Sequence, residues 1–125
     1  MQKKLTQLLM GNRFEITVEA KTDAEADFFL KKAVEEISRI EALLSTYQST
    51  SETNLINENA GIKSVKVSDE TFSIIARSKK ISEITQGAFD ITYGSIDKRF
   101  WNFDTEMTSL PDEDLAQKSI ALIDY

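Results

Sequence analysis

The sequence predicts an α+β fold, and three observations carry that reading. Residues Arg13 to Ala20 alternate strictly between polar and apolar side chains. Residues 23–44 repeat apolar side chains at helical spacing. The strand-like and helical stretches follow no regular βαβ order; the pattern is strand, long helix, strand, helix, with an incomplete sheet.

In the first strand Phe14, Ile16, Val18 and Ala20 face one way, and Arg13, Glu15, Thr17 and Glu19 the other. That alternation marks a half-buried strand. Thr22-Asp23-Ala24-Glu25 then reads as a capping box, in which a hydroxyl and a carboxylate satisfy the first amides of a helix. Behind it Ala26, Phe29, Leu30, Ala33, Ile37, Ile40 and Leu44 form an apolar stripe, while Lys31, Lys32, Glu35, Glu36 and Arg39 fill the opposite face. Ser45 to Ser51 is polar and breaks the pattern. Thr53 to Glu58 is expected to form a short helix that stops near Asn59-Ala60-Gly61. Lys63 to Val67 alternates and is expected to be the second strand. Ser68-Asp69-Glu70 opens another helix, acidic where the helix dipole favours negative charge. Its stripe is Phe72, Ile75, Ala76, Lys79 and Ile81 or Ser82, and Gly87 is expected to cap its end. Residues 88–103 are irregular and aromatic. Pro111 with Asp112, Glu113 and Asp114 starts a last helix, expected to reach Ser119 or Leu122.

The 125 residues suffice for one domain with a core. A 41% hydrophobic and 29% charged composition is that of a globular chain rather than a disordered one. The net charge of −6, from 21 acidic and 15 basic side chains, argues against a nucleic-acid partner, because phosphate binding needs clustered Lys and Arg. A small anionic ligand remains compatible with it, since backbone amides hold such groups locally. The chain has no cysteine and no histidine. Disulfides, thiol nucleophiles, thiolate zinc sites and a Ser-His-Asp triad are therefore excluded within it, and any metal must be hard and oxygen-bound. The apolar run within Met1 to Met10 is too short for a signal peptide, and no lipobox cysteine follows. The expectation is a cytoplasmic chain, or a processed or truncated one. Two strands make a poor sheet, so further strands are expected beyond Tyr125.

Four segments are candidates for chemistry. Met10-Gly11 precedes a strand; the plain alternative is a buried methionine beside a turn glycine. Tyr47 follows the end of the long helix, where an aromatic ring can stack on a flat ligand or fold back over the helix end. Gly87-Ala88-Phe89-Asp90-Ile91-Thr92-Tyr93-Gly94 brackets a carboxylate and a hydroxyl with glycines that permit close backbone approach. Asp90 can accept from ribose hydroxyls or an adenine amino group, or it can cap a turn. Trp101-Asn102-Phe103 offers aromatics for a nucleotide, a partner or the core.

Several of these segments occur in the order and approximate spacing of a known family. Leu9-Met10-Gly11-Asn12-Arg13-Phe14-Glu15-Ile16-Thr17-Val18 is similar to the opening strand of ApbE-type FAD:protein FMN transferases. Ile37 to Tyr47 resembles the end of that family's first helix and its tyrosine loop. Ser51-Glu52-Thr53-Asn54-Leu55-Ile56-Asn57 resembles its SE-x-x-x-LN stretch, and Ile81 to Thr92 its ST-x-GAFD-x-T block. Asn12 stands where threonine is usual, and Ser95 where proline is common.

The resemblance implies a T-fold-related α+β architecture, of which residues 1–125 are the N-terminal FAD-binding part. It implies FAD as substrate and Mg²⁺ as cofactor. FMN passes to a threonine of a target protein, a subunit of a membrane redox complex, and AMP is released. Carried over residue by residue, Met10, Tyr47, Ala88, Phe89 and Asp90 match FAD-contacting positions. Tyr47 is expected on the flavin side, and the 88–90 segment on the nucleotide. No catalytic and no metal-ligating residue is assigned to this stretch, because the family's magnesium ligands belong to its C-terminal portion. The stretch is therefore expected to be inactive alone, and to fold either poorly or by associating with another copy, as a homodimer, through its unpaired sheet edge. FAD hydrolysis to FMN and AMP, and a non-catalytic FAD-binding or assembly module, are the alternatives. The family is often periplasmic or anchored to the inner membrane. Its older name, thiamine biosynthesis lipoprotein, finds no thiamine-binding residue here.

Overall fold

The computed structural model describes residues 1–96 and 112–125. It is α+β, as the sequence predicts. The elements are β1 (Gln2–Leu9), β2 (Asn12–Glu19), α1 (Asp23–Leu44), α2 (Glu52–Asn59), α3 (Asp69–Thr85), a 3₁₀ turn (Ile91–Ser95) and α4 (Glu113–Ile120). The chain divides into two compact units, Met1–Val67 and Ser68–Tyr125. Among the described residues no helix is long and apolar enough to cross a membrane.

In the first unit β1 and β2 form an antiparallel hairpin, with Gln2 opposite Glu19 and Leu9 opposite Asn12. Strand β1 was not expected. The segment Gln2–Leu9, weighed by its sequence only as a leader, is paired along its whole length. The expected strand at Lys63–Val67 joins no sheet; among the described residues the sheet is β1–β2 alone. Alternation permits a strand, but only a partner's hydrogen bonds make one, and residues 63–67 have no such partner among the described residues.

The hairpin's core-side face pairs Leu5 with Ile16 and Gln7 with Phe14. Lys3 lies on that same face. Its ammonium reaches the carboxylates of Asp23 at 2.9 Å and Asp27 at 2.7 Å on α1, so its charge stays solvated and paired. Hydrogen bonds to Asp27 and Asp23 raise the Lys3 pKa above the ordinary lysine value.

Helix α1 packs on the hairpin through Ala26, which is fully buried, and Leu30. Thr22 is its N-cap and accepts the Glu25 amide at 3.2 Å. The Glu25 carboxylate reaches back one residue further than in a standard capping box, to the Lys21 amide at 2.7 Å. The expected stripe holds except at Phe29, which is exposed and meets Phe28 edge to face. On the outer face Lys32 binds Glu35 and Arg39 binds Glu36. These hydrogen bonds hold both carboxyls below the ordinary glutamate range.

A lowered carboxyl pKa stabilises the fold above the group's ordinary value, and that contribution is lost as pH falls through the lowered value. Helicity of this chain is thus expected to be less resistant to heat at about pH 3 than at about pH 7. Part of that difference is expected to vanish in Glu35→Gln/Glu36→Gln. Circular dichroism melts at the two pH values check this, and an unaltered pH difference in the double variant would contradict it.

In the second unit Ser68 caps α3, accepting the Thr71 amide at 3.3 Å. The stripe expected for α3 is displaced. Phe72 is 67% exposed, whereas Thr71 and Ser82 are buried and Ile75 and Ser78 half-buried, which is one face at helical spacing. The Ser82 hydroxyl can be buried because it donates to the Ser78 carbonyl at 3.1 Å. The left-handed residue that ends α3 is Gln86 (φ 53°), one position before the expected glycine. Gly87 follows at φ 83° and donates its amide to the Ser82 carbonyl at 2.9 Å, closing the helix end in the manner of a Schellman motif. Asp112 caps α4 by accepting the Leu115 amide at 3.0 Å.

Candidate functional site

The site residues predicted from sequence fall in both compact units. Met10 and Tyr47 belong to the first, and Ala88, Phe89 and Asp90 to the second. Trp101-Asn102-Phe103 lies outside the described residues.

Met10 and Gly11 are the two central residues of the β1–β2 turn, with φ of 52° and 72°. Positive φ at both positions is the type I′ geometry that suits the right-handed twist of a hairpin. Glycine adopts it freely, but methionine does so against the clash of its Cβ, at a cost of about 1–2 kcal/mol. The turn is thus tight, and it holds the Met10 side chain at the surface, not buried as its plain alternative had it. A non-glycine residue held this way is typical of ligand-contacting positions.

Tyr47 follows Ser45, the residue that closes α1. The Ser45 hydroxyl accepts the Tyr47 amide at 3.2 Å. Tyr47 is 77% exposed, so its ring is not packed down over the helix end. The loop itself is firmly held. Asn54 on α2 donates its side-chain amide to the Thr46 carbonyl at 3.1 Å and to the Gln48 carbonyl at 2.8 Å. Buried Ser51 caps α2 and accepts the Asn54 amide at 3.1 Å. One asparagine therefore pins the carbonyls on both sides of Tyr47. Sequence reasoning missed this role of Asn54. Its signal was Ser51-x-x-Asn54 at capping distance beside a polar loop.

In the second unit the segment from Thr85 to Thr92 is a tight sequence of caps. The Thr85 hydroxyl accepts the Phe89 amide at 3.1 Å and lies 2.9 Å from the Ile81 carbonyl, to which it donates. The Ala88 amide donates to the Thr85 carbonyl at 3.1 Å. Asp90 caps the 3₁₀ turn, and its Oδ1 accepts both the Thr92 amide at 2.8 Å and the Thr92 hydroxyl at 2.7 Å. Asp90 does serve as a turn cap, then, and among the described residues only its Oδ1 is used. Among the described residues Oδ2 has no hydrogen-bond donor. Phe89 and Ala88 are exposed beside it. The arrangement offers a carboxylate oxygen, an aromatic ring and a short run of backbone at the surface. Among the described residues no three acidic side chains form a group able to hold a metal ion.

No curated protein sequence matches. Among solved structures, the ApbE protein of Thermotoga maritima superposes with a TM-score of 0.86 at 24% identity, covering 100% of this chain and 40% of that one. The flavin transferase ApbE of Vibrio cholerae superposes at 0.75 with 19% identity, covering 99% of this chain and 41% of that one. The chain thus spans about two fifths of the length of these solved relatives. At such identities the likeness establishes the fold. The family itself is established by sequence, because the ApbE family model matches residues 10–125. That match takes in the Met10 turn, the Tyr47 loop and the Asp90 turn, and on it this chain belongs to the ApbE family.

Proposed function

We propose that this chain is the flavin-holding part of an FAD:protein FMN transferase. The observation that carries the reading is the Asp90 turn: a capping carboxylate whose second oxygen has no donor among the described residues, beside exposed Phe89 and Ala88, in a chain matched by the ApbE family. In this reading Tyr47 stacks on the isoalloxazine, and Met10 borders it from the hairpin turn. The 88–90 backbone and the Asp90 carboxylate hold the nucleotide through ribose or adenine hydrogens.

The transfer forms a bond between a threonine oxygen of the target and the phosphorus of the FMN half. The pyrophosphate bridge breaks, AMP leaves with the bridging oxygen, and the threonine proton is released. Magnesium, with ligands outside this chain, supplies charge stabilisation at the pyrophosphate when bound. The proposed acceptor is a subunit of a membrane redox complex. We extend the proposal to a homodimer through the edges that the two-stranded sheet leaves unpaired among the described residues, for which light scattering at twice the chain mass is the expected result.

The test is a titration of the chain against FAD, with and without magnesium, read by flavin fluorescence. Saturable quenching is expected, weakened about tenfold by Tyr47→Ala, because base–aromatic stacking contributes about 1–3 kcal/mol. Absence of quenching by a chain that circular dichroism shows folded would remove the flavin-site reading from this part of the fold.

A further inference from the structure

We propose that Thr92 is the positioning residue for the Asp90 carboxylate, and that it fixes which carboxylate oxygen faces a bound nucleotide. The inference rests on the flavin-nucleotide reading of the Asp90 turn.

Both Thr92 donors, amide and hydroxyl, converge on Asp90 Oδ1, at 2.8 and 2.7 Å. A hydroxyl has one proton, and its direction is normally free to rotate. Here it is not free. The Thr92 Oγ1 also accepts the amide of Asp124, thirty-two residues further along, at 2.9 Å. That amide occupies the lone-pair side of the oxygen and turns the proton toward the carboxylate. With Oδ1 doubly engaged, the side chain cannot rotate without breaking both bonds, and Oδ2 is the oxygen left for a ligand hydroxyl or amino hydrogen.

The segment that supplies the amide also borders the start of the same loop. The Tyr125 ring carbon Cε1 lies 3.8 Å from where a Cβ on Gly87 would stand. Asp124-Tyr125 therefore lies against both ends of the stretch from Gly87 to Thr92. A carboxylate held in one rotamer before the ligand arrives loses less entropy on binding.

The experiment is an FAD titration, read by flavin fluorescence, of the unsubstituted chain, Thr92→Val, Thr92→Ser, Asp90→Ala and the Asp90→Ala/Thr92→Val double variant. Thr92→Val is expected to bind about tenfold more weakly, as for loss of a hydrogen bond to a charged group. Thr92→Ser keeps the hydroxyl and is expected to stay within about twofold. In the Asp90→Ala background Thr92→Val is expected to add nothing, because its effect runs through that carboxylate. An equal loss in both backgrounds, or none in either, overturns the role of Thr92 while leaving flavin binding intact. No quenching by the unsubstituted chain sinks the flavin reading and this role with it. If circular dichroism shows Thr92→Val unfolded, Asp124→Pro, which removes the amide donor, replaces it. Severalfold weaker binding then supports the proposal, and unchanged binding overturns it.

Discussion

Asp90→Ala is expected to weaken FAD binding by ten- to a hundredfold, the largest effect of any single substitution in the second unit. The carboxylate has two jobs, and alanine removes both. It accepts two hydrogen bonds that close the 3₁₀ turn, and it presents its second oxygen to the proposed ligand. A hydrogen bond to a charged group contributes about 1.5–3 kcal/mol, or roughly one to two powers of ten in affinity. Asp90→Asn separates the jobs. Its side-chain oxygen can still accept from Thr92 while the charge is gone, so the turn persists and only the ligand's share is lost. Calorimetric FAD titration of both variants, beside circular dichroism, makes the distinction. Affinity unchanged within about twofold in Asp90→Ala would mean that the carboxylate is a turn cap and nothing more.

Leu30→Ala carries the largest expected effect on stability. Among the described residues the buried apolar side chains are Leu9, Ala26 and Leu30, and Leu30 is the larger of the two on α1. Truncating a buried leucine costs about 2–5 kcal/mol, from lost transfer energy plus the cavity left behind. Whole domains are stable by only about 5–15 kcal/mol, so the first unit is expected to melt before the second. Phe29→Ala is the control. Phe29 is 44% exposed beside Phe28, and its loss is expected to cost much less. Urea unfolding followed by circular dichroism compares them, and equal midpoints for the two variants would contradict this account of the core.

Much of the helical architecture was legible before any coordinates. Thr22 and Ser68 read as helix starts and are N-caps, and each accepts the amide three residues on. Of the candidate site, the family blocks around Met10, Tyr47 and Asp90 were legible, as was the capping role of Asp90. The Asn54 clamp was not, because its two acceptors lie eight and six residues away across a loop. Nor was the link from Asp124 to Thr92, which no local pattern announces.

The strands divide in the same way. Arg13 to Ala20 alternates cleanly enough to declare itself. Gln2–Leu9 places Lys3 on the core side and Leu8 in solvent, so its own pattern is spoiled and only pairing with β2 makes it a strand. Lys63–Val67 alternates well and joins no sheet among the described residues. The sequence by itself determined where helices begin and end, because their hydrogen bonds and caps close within three or four residues. It also determined the family, because the motif blocks are contiguous. Tertiary structure alone decided that β1 exists, that α3 buries Thr71 and Ser82 rather than Phe72, and that the Asp124 amide engages the Thr92 hydroxyl beside Asp90. Each of those depends on groups far away in the chain, and a pairing or a burial is settled by the partner as much as by the residue.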